Sequence, residues 1–150
     1  MGFLDTSLPA AIHAATGVPR LWTAATRAGL SASQAAEVLV VSQAALKTAA
    51  VQGKGVPGRT NAMRHFMWQA VLTARFGREA AAAIAAAQET GSPNRKDSTV
   101  DAHNNAVGQA HGEAHAAELA SGSASAAVAS LVPVALEKWE ADELIWVKPH

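Results

Sequence analysis

The chain of 150 residues contains no cysteine and no tyrosine, and it has only three phenylalanines. Without thiols, neither disulfides nor thiolate metal sites can form. The cysteine content therefore does not indicate whether the protein works in an oxidising or a reducing compartment. Lysine plus arginine and aspartate plus glutamate number 12 each, so the formal net charge is zero. A balanced charge gives no overall attraction to nucleic acid and disfavours it as a partner, although a local basic patch is compatible with this balance.

Long apolar runs are also absent. No run of about 18 apolar residues occurs, so no integral membrane span is predicted. The first residues lack the basic and apolar regions of a secretory signal peptide. The length suits one domain with its own hydrophobic core. We therefore predict a single domain over residues 1–150.

Alanine dominates the composition, and alanine is the best helix former. Capping residues and helix breakers divide the chain into about seven helical segments, which predicts a compact all-α bundle. Residues 144–147 are predicted to form a short strand or an extended tail. The predicted helices run from Ser7 to before Gly17, from Pro19 to near Gly29, from Ser31 to about Gln52, from Thr60 to Gly77, from Arg78 to about Glu89, from Ser98 to about Ala120, and from Ser123 to about Ala141 with an interruption at Pro133.

The helix that follows Thr60 has an unusual polar face. At about 100° per residue, six residues fall on one side: Asn61, Arg64, His65, Trp68, Leu72 and Arg75. A solvated helix face usually carries lysine and glutamate instead. An indole beside an amide, a guanidinium and an imidazole indicates a partly buried polar surface.

A second polar arc lies on the helix after Ser98. It spans roughly 120° and contains Asp101, Asn104, Asn105, Gly108, His111, Gly112 and His115. The two glycines would let another helix or a ligand come close. His103 points away from this arc if the helix is regular, and it could join Asp101 if the helix begins later. Asp101 also has capping-box spacing from Ser98, which gives it a structural role as an alternative.

The two polar segments together resemble a bacterial domain family of the secreted or polymorphic-toxin type. Its pattern is roughly Asn-Ala-x-Arg-His-x-x-Trp followed by Asp-x-x-x-Asn-x-x-Gly, and residues 59–112 of this chain match it. The motif-bearing core extends over about residues 59–116. Between the motifs the family has Ala-His-Glu, whereas this chain has Ala87-Gln88-Glu89. No histidine is therefore carried over at that position.

The resemblance implies a bacterial effector-type protein. Such a protein would be exported, either as part of a larger protein or by a route that needs no signal peptide. If it is not exported, we expect it in the cytoplasm. Its expected partner is a cognate immunity or carrier protein.

Our first functional hypothesis is a hydrolase acting on a phosphoester or phospholipid-like substrate. His65 would act as general base or metal ligand, Arg64 would stabilise negative charge, and Asp101 would orient the imidazole. Glu89 would supply a further carboxylate. The glycine-rich loop over residues 53–59 would cradle an anion. Substrate contacts are expected from Asn61, Trp68, Asn104, Asn105, Lys54 and Arg59.

No cofactor is fixed by the sequence, although a divalent metal is compatible with two pairs of ligands. One pair is His65 with Asp101. The other is His111 with His115, whose i, i+4 spacing lets two imidazoles share an ion.

Two hypotheses of other classes remain open. One is a non-enzymatic interaction or structural module in which the polar helix faces form a buried hydrogen-bond network. The other is a toxin domain that acts on membranes or nucleic acid. Zero net charge weighs against the nucleic-acid version, and modest hydropathy weighs against pore formation.

Overall fold

The structure is a computed structural model that describes residues 18–89 and 95–147, without the side chains of residues 95–97. This part of the chain contains helices and no strand, which confirms the all-α fold. The helix predicted from Ser7 lies outside the described residues. The interruption predicted at Pro133 falls at Leu131, and the proline lies in the first turn of the last helix. The helices are α1 Val18–Arg27, α2 Ala32–Gly53, α3 Arg59–Phe76, α4 Arg78–Glu89, α5 Arg95–Ala114, α6 Ala116–Ala120, α7 Ala124–Ser130 and α8 Val132–Glu140.

Helix α3 lies at the centre of the bundle. Helices α2, α4, α5, α6, α7 and α8 all pack around it. Its residues 62, 63 and 65–73 are buried, so its polar face is enclosed as well as its apolar face. Polar side chains in such a position need partners within the protein. Over residues 18–89 and 95–147, no helix combines the length and hydropathy needed to cross a bilayer.

Helices α3 and α5 meet backbone to backbone. A Cβ at Gly108 would lie 2.5 Å from the carbonyl oxygen of Phe66, and Gly112 faces the carbonyl oxygen of Ala70 just as closely. Both glycines therefore allow the close helix approach that the sequence predicts. Because the contacts advance by four residues on each helix in the same direction, α3 and α5 run parallel.

The start of α2 is predicted correctly and the start of α3 is not. Ser31 and Gln34 form the predicted capping box, with Gln34 N donating to Ser31 Oγ at 3.2 Å and Ser31 N donating to Gln34 Oε1 at 2.8 Å. Helix α3 is capped by Gly58 rather than by Thr60. The Thr60 side chain packs against Gly53 at the end of α2 instead.

The predicted capping box at the start of α5 is wrong. Helix α5 begins at Arg95, so Ser98 lies inside the helix and does not cap it. Asp101 is therefore free of a capping role, and its carboxylate faces α3. The helix is also shorter than predicted at its other end, because it stops at Ala114 and α6 begins after His115.

Residues 144–147 form an extended tail packed on the bundle. Leu144 is buried, and Asn104 holds both backbone groups of the next residue. Asn104 Nδ2 donates to the Ile145 carbonyl at 2.9 Å, and Ile145 N donates to Asn104 Oδ1 at 2.9 Å. The Trp146 side chain covers Gly58, leaving no room for a Cβ there. The tail thus connects α5 with the beginning of α3.

Candidate functional site

Three side-chain pairs bridge α3 and α5 over successive turns, and we call these six residues the polar ladder. In each pair the partners are 40 residues apart, as parallel helices in fixed register require. The ladder runs from a first pair in which Asn61 is exposed and Asp101 half-buried to a third pair in which both residues are buried. The pairs are Asn61 Nδ2 to Asp101 Oδ1 at 2.7 Å, His65 Nδ1 to Asn105 Oδ1 at 2.8 Å, and Gln109 Nε2 to Gln69 Oε1 at 2.7 Å.

The imidazole of His65 is fixed in one tautomer by its partners. Asn105 Oδ1 can only accept, so Nδ1 of His65 carries the proton and donates to it. Arg64 Nη2 can only donate, and it lies 3.2 Å from Nε2, which therefore accepts. The neutral ring consequently has its basic lone pair on Nε2.

Nε2 of His65 lies between a cation and an anion, and we call Arg64, His65 and Asp101 the Arg–His–Asp cluster. Arg64 Nη2 also donates to Asn61 Oδ1 at 3.1 Å, while Asp101 Oδ2 lies 3.4 Å from Nε2. If Nε2 gains a proton, the imidazolium can pair with Asp101 in place of its bond to Arg64. The geometry thus stabilises both the neutral imidazole and the imidazolium.

Burial and neighbouring charge set the ionisation of this cluster. Burial, followed by the positive charge of Arg64, lowers the pKa of His65 below 6.5, although Asp101 and the Asn105 hydrogen bond oppose this shift. Burial also lowers the pKa of Arg64 below its usual value, again against the effect of Asp101. His65 is only 5% exposed and is neutral at pH 7.

We expect folding stability to fall in acid because of His65. Its pKa in the folded state lies below that of the unfolded chain, so its contribution is complete above about pH 6.5 and is lost as the pH falls toward the folded value. One such group changes the free energy of unfolding by at most about 1.4 kcal/mol per pH unit. Urea denaturation at pH 7.5 and pH 5.0 measures the loss.

The matched variants separate two histidines. Burial, and then His115 and Lys138, also lower the pKa of His111, with Glu118 opposing, so this residue adds a loss of the same sign. His65→Gln should remove one part of the acid loss and His111→Gln the other. An unchanged pH dependence in His65→Gln would show that this imidazole does not titrate differently in the folded chain.

Trp68 packs against the imidazole of His65. Its ring meets the His65 ring edge-on, with centroids 5.8 Å apart, and its indole N–H donates to Ser42 Oγ at 2.8 Å. Ser42 in turn donates to the Val38 carbonyl at 2.8 Å. The indole is buried against the imidazole, and the contact of Trp68 with substrate stays a prediction.

Other predicted site residues lie apart from the cluster. The Asn104 side chain hydrogen-bonds to the backbone of Ile145 in the tail. Glu89 ends α4 and lines a groove that also includes Asn105. Lys54 is exposed at the end of α2 with a left-handed backbone, and Arg59 is half-buried in the first turn of α3. Arg59 Nε has no hydrogen-bond partner among the described residues.

The other three histidines that the structure describes, at positions 103, 111 and 115, lie outside the Arg–His–Asp cluster. His103 Nε2 lies 2.8 Å from the Glu143 carbonyl, and it faces away from the polar ladder, as a regular helix predicts. His111 and His115 stack on one another with centroids 4.2 Å apart, and the His111 ring tilts against Phe66.

The two predicted metal-ligand pairs therefore belong to different places. His65 and Asp101 approach each other within the cluster, and His111 and His115 approach each other beyond it. Within the described ranges, no group of three or more histidine, cysteine, aspartate or glutamate side chains is arranged to hold a metal ion. Among the residues that the structure describes, neither pair therefore has a third ligand.

The third pair of the polar ladder was not predicted from the sequence. Gln69 and Gln109 are both buried, and each lies eight residues after the first ladder residue of its helix. This equal offset could have predicted the pair from the sequence. The prediction requires, however, that the parallel register of the two helices is already known.

Comparison with known proteins gives a family and no function. No curated protein and no solved structure matches the chain. The model of one protein family, described as a domain of unknown function, matches residues 26–136, nearly three quarters of the chain. The matched range contains the whole polar ladder and both glycines of the α3–α5 contact. The chain therefore belongs to the DUF6973 family.

Proposed function

We propose that this domain is a hydrolase of the bacterial effector type that cleaves phosphoesters at the Arg–His–Asp cluster. One observation carries the proposal: a neutral imidazole, fixed through Nδ1, holds its basic Nε2 between a guanidinium and a carboxylate. Such an arrangement suits general acid–base catalysis beside a group that stabilises negative charge.

The surroundings favour an anionic substrate. Helix α3 begins at Arg59, and its N-cap residue Gly58 has no side chain to cap the first turn. The positive end of this helix therefore lies beside Asn61, the exposed end of the polar ladder. Arg59 lies in the same turn, and Arg64 follows one turn later. A phosphoryl group near Asn61 would meet this positive potential.

The reaction can be written with the residues present. A phosphoryl oxygen takes the hydrogen bond that Arg64 Nη2 makes to His65, and Nε2 is released as a base. Water then attacks phosphorus as Nε2 accepts its proton, and the imidazolium pairs with Asp101. The P–O bond to the leaving alcohol breaks, and Nε2–H returns the proton to that alcohol. Asn105 keeps the ring in place throughout.

Hydrolysis of bis(4-nitrophenyl) phosphate tests the proposal. The wild-type chain should release 4-nitrophenol, and His65→Ala should lower kcat/KM by about 10²–10⁴-fold, the usual contribution of a general base. His103→Ala is the matched control, because it removes another α-helical histidine that lies outside the cluster. Circular dichroism checks that each variant is folded. If His65→Ala is not folded, His65→Gln takes its place.

The outcomes separate catalysis from structure. Release by the wild type that His65→Ala abolishes supports the proposal. No release above buffer, or equal release by His65→Ala and His103→Ala, overturns it. Expression in a bacterial host adds a second readout, since an effector-type hydrolase should slow growth and His65→Ala should not. An immunity or carrier protein and export within a larger protein are further parts of this proposal.

A second candidate is a non-enzymatic interaction or structural module. It is favoured by a specific observation, which is that both ring nitrogens of His65 already have partners inside the protein. On this hypothesis the polar ladder fixes the register of α3 and α5, as buried polar groups do in other helical assemblies. His65→Ala would then lower the free energy of unfolding and leave no catalytic effect to measure.

A further inference from the structure

A groove separate from the Arg–His–Asp cluster lies between α4 and α5. Its volume is ≈ 480 Å³, and four of its seven lining residues are alanines. Helix α4 supplies three of them and α5 supplies one. The alanines are Ala82, Ala85, Ala86 and Ala102.

One end of the groove carries an unsatisfied acceptor. Glu89 lines the groove, and its Oε2 is buried without a hydrogen-bond partner among the described residues. A buried carboxylate oxygen without a donor is costly, so a ligand that brings an N–H group gains the missing bond. Glu89 is also the last residue of α4, where the helix dipole is negative. Both effects favour a cation.

We propose that this groove binds a primary alkylammonium group. The alkyl chain would lie along the alanine wall, where burial of CH₂ groups is favourable, and the ammonium would donate to Glu89 Oε2. A carboxylate ligand would meet the charge of Glu89, and an alcohol would bring a weaker, uncharged donor. The groove therefore selects an ammonium over both.

Asn105 connects the groove to the polar ladder. Its side chain lines the groove, and its Oδ1 accepts from His65 Nδ1 at 2.8 Å. A ligand in the groove therefore lies one side chain from the imidazole. The binding inference stands whether or not the cluster is catalytic, because it depends only on the groove and on Glu89.

Titration of the ¹⁵N-labelled full chain with n-hexylammonium, 1-hexanol and hexanoate tests the inference. Saturable amide shifts on α4 and α5 should appear with n-hexylammonium, and its affinity should exceed that of the other two compounds by at least tenfold. Glu89→Gln should lower n-hexylammonium binding to the level of 1-hexanol. Ala86→Leu should fill the groove and weaken all three compounds.

Glu79→Gln is the matched control, because Glu79 is an exposed carboxylate on the same helix outside the groove. This variant should bind n-hexylammonium as the wild type does. Three results would overturn the inference: no saturable shift with n-hexylammonium, equal affinity for n-hexylammonium and 1-hexanol, or unchanged binding in Glu89→Gln. An equal loss in Glu79→Gln would assign the binding to general surface charge and would also overturn it.

Discussion

Replacing Arg64 with methionine should lower kcat/KM for a phosphodiester by about 10²–10³-fold, the usual cost of removing one donor that stabilises developing negative charge. Methionine keeps the length of the side chain and removes its donors. The loss should lie mainly in kcat, because the guanidinium is expected to bind the transition state more strongly than the substrate.

The same substitution should also move the pH dependence of the reaction. Arg64 lowers the pKa of His65, so its removal raises that pKa. Since the base must be deprotonated to act, the acid limb of the kcat/KM profile should shift to higher pH. A side chain that only fills space would not cause this shift. The pH profile therefore shows whether the charge of Arg64 acts on the reacting imidazole.

Arg27→Met is the control for the Arg64 variant, because Arg27 is exposed at the end of α1. It should leave both kcat/KM and the acid limb unchanged. An active Arg64→Met chain with an unmoved acid limb would remove Arg64 from the mechanism. Urea denaturation of each variant ensures that only folded protein is compared.

Replacing Arg75 with methionine should cause the largest loss of stability, about 2–4 kcal/mol, in line with breaking a mostly buried ion pair. Arg75 Nη1 lies 2.7 Å from Glu37 Oε1, and its side chain is 9% exposed against 37% for Glu37. Its other nitrogens donate to the carbonyls of Leu119, Ser121 and Gly122. One side chain thus binds α2 and the end of α6 to α3.

Arg78→Met provides a matched comparison for Arg75→Met. The Arg78–Glu113 ion pair has the same 2.7 Å separation, but its side chains are 44% and 52% exposed. Exposed pairs contribute little, so this variant should change the free energy of unfolding by less than about 1 kcal/mol. Urea denaturation of both variants measures the difference. Equal effects would show that burial and the three carbonyl contacts add nothing to the Arg75 pair.

The helices were predictable from the sequence because their signals are local. The capping box at Ser31 and Gln34 and the breaks at Gly77 and Ser121–Ser123 involve residues only a few positions apart. The predictions that were wrong had competitors of equal local strength. Thr60 and Ser98 both have capping chemistry, yet Gly58 supplies the N-cap of α3 and the chain becomes helical before Ser98.

The candidate site was predictable in its location and only partly in its contacts. Helical periodicity placed Asn61, His65, Asp101 and Asn105 on polar faces, and the structure pairs these faces. Periodicity alone could not show which face a helix buries when it is surrounded on all sides, as α3 is. The hydrogen bond from Asn104 to the tail joins residues 41 positions apart in the sequence, and no local pattern encodes such a contact.

The polar ladder also bears on how this family can vary. All three pairs share one separation of 40 residues, so a slip of one turn would mismatch every pair at once. The chain that joins α3 to α5 can therefore change in length only through insertions that loop out and leave the register of the two helices unchanged. Compensating substitutions are therefore expected between 61 and 101, 65 and 105, and 69 and 109. Such coupled change would leave a record of the parallel register in the sequences of relatives.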